Sequence, residues 1–106
     1  TVHKVVYAVR AELVRVPAAD EPAPEIQARH EEIPSFVEKH GDPPKGMRAM
    51  TMPFALDPKV SLEGFEAGTK VLLTFEVDYS VETGLITGYR VIQLDALAPD
   101  TELNFE

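Results

Sequence analysis

The pattern that most limits how this chain can fold is a period-two run in which Val71, Leu73, Phe75 and Val77 alternate with Lys70, Leu72, Thr74, Glu76 and Asp78. Alternation puts those apolar side chains on one face of a strand, and such a face must be buried against other elements. No stretch shows a sustained helical period, and clusters of Pro, Gly and Asp cut the chain into short extended segments. At 106 residues there is room for one domain with its own core and not for two.

The other strands follow from the same reasoning. Val2 to Val16 is rich in Val, and its apolar set moves from Val5, Tyr7, Val9, Ala11 and Leu13 to Val14 and Val16, a phase change that predicts a bulge. Pro17 to Pro24 reads as a connection, Glu25 to His30 as a second strand, and Met50 to Leu56 as a third. His40-Gly41-Asp42-Pro43-Pro44 continues neither a helix nor a central strand, because proline lacks the amide donor and restricts its predecessor. Ser61 to Gly68 predicts one short helical turn, with Ser61 as N-cap and Gly68 closing it. After the Thr83-Gly84 turn, Leu85 to Leu94 supplies a fifth strand with a bend or bulge at Gly88.

Five strands and one short helical turn match a small Greek-key barrel of the OB type better than a sandwich, which usually needs about seven strands. The barrel is expected over residues 1–95, with residues 96–106 as a polar, loosely attached C-terminal tail.

Ten Lys or Arg against 18 Asp or Glu give a net charge of -8, which repels phosphate backbones and argues against nucleic acid as a partner. There is no cysteine, so disulfides, thiolate metal sites and cysteine nucleophiles are excluded. A thioether keeps its sulfur unpaired under oxidising conditions where a thiol is at risk, which leans towards an extracytoplasmic setting. No run of about 18 apolar residues is present to span a membrane. The chain starts at Thr1 without an export signal of its own, and periplasmic residence assumes that one has been removed.

All three methionines, Met47, Met50 and Met52, lie in the string Gly46-Met47-Arg48-Ala49-Met50-Thr51-Met52-Pro53-Phe54. Thioethers are soft, polarizable donors that favour Cu(I) or Ag(I) over zinc, magnesium or calcium. In an extended segment Met50 and Met52 share a face, Met47 lies just upstream, and the imidazole of His30 is a candidate fourth donor. On the residues alone two readings stand: a soft-metal site, or methionines filling the inner face of a buried strand before Phe54. His3 and His40 read as surface residues.

His30-Glu31-Glu32-Ile33-Pro34 and Met47-Arg48-Ala49-Met50-Thr51-Met52-Pro53-Phe54 resemble the CusF-like periplasmic copper and silver binding proteins. Tyr7-Ala8-Val9-Arg10, Leu62-Glu63-Gly64-Phe65 and Gly68-Thr69-Lys70-Val71 extend the resemblance over most of positions 5 to 95. It implies a five-stranded OB-type barrel that binds Cu(I) or Ag(I) and hands it to efflux or oxidase-assembly proteins, acting as a monomer. It also implies His30, Met50 and Met52 as metal ligands. At Met47 the best-known member of the family carries a tryptophan stacked over the metal; a methionine there resembles the other branch and implies a third sulfur. Relatives run almost directly from the Ile33-Pro34-Ser35-Phe36 stretch into the methionine motif, whereas here Val37 to Gly46 is interposed, a loop placed to cover the site.

No catalytic base stands beside a nucleophile: Ser35, Ser61 and Ser80 lack a triad context, so an enzyme is not expected. Glu31 and Glu32 read as a solvated rim, or as groups that orient the imidazole. Two other classes compete. An OB-type module for oligonucleotide or oligosaccharide would want a basic groove and stacking platforms, against a charge of -8 and only five Phe and three Tyr. A docking domain that holds no metal would leave the clustered sulfurs unexplained.

Overall fold

The computed structural model describes residues 1–18 and 20–106. Five antiparallel strands form one sheet: β1 (Val2–Arg15), β2 (Glu25–His30), β3 (Met50–Ala55), β4 (Lys70–Ser80) and β5 (Ile86–Ala96), in the order β3-β2-β1-β4-β5. The first three strands follow one another as neighbours, and the chain then returns to lay β4 beside β1, which is the Greek-key step. The connection expected over Pro17 to Pro24 includes Ala19, which lies outside the described residues.

β1 is long enough to serve two partners, pairing with β4 from Val2 to Glu12 and with β2 from Ala11 to Arg15. The register slips between Leu13 and Arg15, where the apolar phase of the sequence changes. Val14 is the extra residue and is exposed, while Val16 returns to pack on the core. On the β5 side the register shifts opposite Asp78/Tyr79, next to Gly88, and again opposite Thr74/Phe75.

β4 delivers the alternation read from its sequence: Val71, Leu73, Phe75, Val77 and Tyr79 are all buried. Opposite them lie Tyr7, Val9, Ala11 and Leu13 of β1, Ile26 and Ala28 of β2, Phe54 of β3 and Val91 of β5, so one curled sheet encloses one core. The outer face carries charge, with Lys4 and Arg90 both paired to Glu76 and Asp78. These partners hold the Asp78 carboxyl below its ordinary range, the Lys4 hydrogen bond contributing most.

The sheet curls into the OB-like form without a closing ladder. Its two edges meet at a single parallel bridge between Leu56 and Val91, where the Asp57 N–H donates to the Val91 carbonyl at 2.9 Å. Tyr89 of β5 adds a hydroxyl hydrogen bond to the Pro53 carbonyl at 2.9 Å. Pro53 is tolerated because β3 is an edge strand.

Among the described residues there is no helix, which corrects the turn expected over Ser61 to Gly68. That segment forms two successive tight turns, closed by Phe65 N–H to Leu62 O at 3.0 Å and Thr69 N–H to Glu66 O at 3.1 Å. Ser61 does accept from the Glu63 N–H at 3.2 Å, but Gly64 at φ 85° breaks the turn before a helix can propagate.

Candidate metal centre

The centre is built at the end of the barrel where β2 stops. Ile26, Ala28 and His30 take the inward positions of β2 by alternation, so His30 is carried into the interior and is fully buried. Its Nδ1 lies 2.6 Å from the carbonyl oxygen of Glu31. A carbonyl can only accept, so Nδ1 carries the proton and Nε2 presents its lone pair. Nε2 is buried and has no hydrogen-bond partner among the described residues. A buried nitrogen acceptor left unpaired costs free energy unless another group satisfies it, and a cation of suitable softness does so.

β3 places methionines across from this part of β2. Met50 pairs directly with His30 in the β2–β3 register, and Met52 pairs with Ala28, one inward position further along. Direct cross-strand partners have Cβ atoms ~5 Å apart and diagonal ones remain within reach of long side chains. Along the β3 face burial deepens from Met50, 42% exposed, through Met52, partly covered, to Phe54, fully buried. The Phe54 ring stands edge-on to His30 with centroids 6.5 Å apart. The face is thus core at one end and accessible sulfur at the other.

Met47 arrives by a separate route. The Ile33 N–H donates to the Met47 carbonyl at 2.8 Å and the Met47 N–H returns to Ile33 at 2.9 Å. A second tie, Gly46 N–H to Phe36 O at 3.0 Å, makes these pairs the neck of the interposed loop. Gly46 takes φ 77° there, and a Cβ on it would crowd the Ile33 and Pro34 carbonyls at 3.4 Å. The neck therefore brings Met47 to the strand end that carries His30, despite the insertion. Met47, Arg48 and Met50 line a shallow cleft with Glu32, Phe36 and Lys45.

The tip of that loop goes elsewhere. Lys39 bridges Leu85, and the His40 N–H donates to Gly84 at 2.9 Å. His40 packs against His3 with ring centroids 3.9 Å apart, at the far end of β1 from Ala11, the strand partner of His30. At ~3.3 Å per residue that separation is roughly 25 Å along the strand.

Nothing in the sequence points to Arg10 and Asn104, which stand behind Glu31. Glu31 is not a free rim carboxylate: Arg10 clamps it through Nε and Nη2, both at 2.7 Å, and the Asn104 N–H donates to it at 2.7 Å. These contacts, the Arg10 hydrogen bonds above all, hold the Glu31 carboxyl below its ordinary range. It is the Glu31 backbone carbonyl, not its side chain, that meets His30. Among the described residues no three His, Asp or Glu side chains converge as a metal-ligand cluster. Ser61 and Ser80 use their hydroxyls to accept backbone N–H bonds in turns.

The backbone register therefore sets Met50 across from His30 with Met52 further along the strand, residue types suited to a soft monovalent ion. No curated protein and no solved structure matches the chain. A family model described as copper binding periplasmic protein CusF matches residues 14–88, well over half of the chain. That family binds Cu(I) or Ag(I). The chain belongs to the CusF family of periplasmic copper-binding proteins.

Proposed function

We propose that the chain is a carrier and not an enzyme: it holds one Cu(I) or Ag(I) ion on His30 Nε2 and the sulfurs of Met47, Met50 and Met52, and delivers it as a monomer to an efflux or cuproprotein-assembly partner in the periplasm. The observation that carries this reading is the buried, unpartnered Nε2 of His30, with Met50 directly across the strand pair. Three uncharged sulfurs and one imidazole stabilise a soft monovalent ion well and compete poorly for zinc. Met50, half exposed at the mouth of the cleft, is the donor an incoming ligand from a partner would replace first.

Competition decides it. Cu(I) or Ag(I) is expected to bind at one per chain and to displace Zn(II) at equal concentration. Zinc holding its place against Cu(I) would rule the donor set out.

A further inference from the structure

Glu31 is held at more points than a residue following a strand needs. Its N–H donates to the Arg10 carbonyl at 3.0 Å, and its carboxylate takes two bonds from the Arg10 guanidinium and one from the Asn104 N–H. With both the amide and the side chain fixed, the one remaining group of the residue, its carbonyl, is aimed at His30 Nδ1 at 2.6 Å.

The Asn104 contact depends on the segment after β5, which crosses back over the sheet. Leu97 N–H donates to Lys70 O at 2.8 Å, and the Lys70 ammonium donates to the carbonyls of Pro99 at 3.0 Å and Thr101 at 2.6 Å. Near the end, the Arg29 guanidinium covers the Phe105 ring at 4.2 Å. Arg29 is the neighbour of His30 on β2, so the segment is fastened on both sides of the imidazole.

We propose that Arg10, Glu31 and the segment ending at Asn104 and Phe105 form a strap that positions the His30 ring, fixing the tautomer that presents Nε2. This rests on the reading of His30 as a metal ligand. Groups that fix the other ring nitrogen of a metal-bound histidine typically change affinity 10–100-fold when removed, whereas an exposed ion pair by itself does little for stability. Glu31 and Arg10 are positioning residues and do not touch the metal.

The test is nitrogen NMR of the His30 ring in the metal-free protein, together with Ag(I) affinity, in wild type, Glu31→Ala, Glu31→Gln and Asn104→Pro. Wild type should show one tautomer with the proton on Nδ1. Glu31→Ala should give a tautomer mixture and a roughly tenfold loss of Ag(I) affinity. Glu31→Gln, which keeps an acceptor for Asn104 and Arg10, should recover most of both. Asn104→Pro deletes the exposed N–H donor and should shift the tautomer in the same direction, so it carries the test if Glu31→Ala fails to fold. An unchanged single Nδ1–H tautomer in Glu31→Ala and Asn104→Pro would overturn the strap. If wild type fails to bind Ag(I), the carrier reading falls, and the metal-free tautomer comparison still decides whether the strap sets the ring.

Discussion

His30 has a carbonyl on Nδ1 and, among the described residues, no hydrogen-bond partner on Nε2; a thioether is itself a lone-pair donor and cannot satisfy that nitrogen, whereas a cation shared between them would. Replacing Met50 by Leu should weaken Ag(I) binding more than tenfold while leaving the melting curve close to wild type, because the side chain is half exposed and Leu matches its volume at a cost under ~1.5 kcal/mol. Met52, partly buried against the core, should show the same loss of metal with a slightly larger drop in stability. Loss of fold in both would mean that these sulfurs serve packing. Acid should act on Glu31. Its carboxyl is depressed by Arg10, so its contribution is complete above the ordinary carboxylate value of about 4.3 and is lost as pH falls through the lower folded value. Urea midpoints should therefore drop below about pH 4 in wild type, and less steeply in Glu31→Gln. The candidate donors could be named from the sequence because thioether chemistry and period-two spacing are local, and the strand register sets Met50 across from His30. The Arg10–Glu31 clamp could not, since nothing in the two positions announces that a strand pair sets them side by side.

At the scale of elements, the interposed Val37 to Gly46 loop is fixed at both ends by different means. Its base is held by a closed set of hydrogen bonds: Val37 N–H to the Tyr7 hydroxyl at 3.2 Å, Tyr7 to Tyr79 at 2.8 Å, and Tyr79 to the Val37 carbonyl at 2.6 Å. Burial and the Tyr7 contact push the Tyr79 phenol well above its usual range, so it remains a donor at physiological pH. Tyr79→Phe removes that donor and leaves the partly buried Val37 carbonyl without it, which should cost about 1 kcal/mol and speed amide exchange in the loop. The tip depends on Gly84, at φ 77° with a would-be Cβ 3.0 Å from the His40 carbonyl. Gly84→Ala should release His40 from the β4–β5 turn, seen as sharpened His40 ring signals with the methionine cleft unmoved. The five strands could be read within a residue or two from alternation and proline punctuation. The Ser61 to Gly68 segment could not, because an N-cap serine and a closing glycine fit tandem turns as well as a single helical turn.

For the molecule as a whole, a single curled sheet wraps one core, and Met47 and Met52 pack at its margin, only partly buried. Among the described residues no helix is long and apolar enough to cross a membrane. The net charge of -8 raises the local concentration of cations without choosing among them. The fold class was legible because β1, β2 and β4 bury clear alternating faces, and the Greek-key order follows once β1 must pair on both sides. What no strand pattern could show is how far the sheet closes, since one bridge and the Tyr89 hydroxyl bond decide that. The carrier proposal puts His30 Nε2 and the three methionine sulfurs on one ion, which a titration with Ag(I) followed by methionine methyl and histidine ring nitrogen NMR decides. Met47, Met50, Met52 and His30 Nε2 should shift together and saturate at one equivalent, with His3 and His40 unmoved. Saturation with His30 Nε2 unshifted, or with His40 shifting in its place, would contradict it.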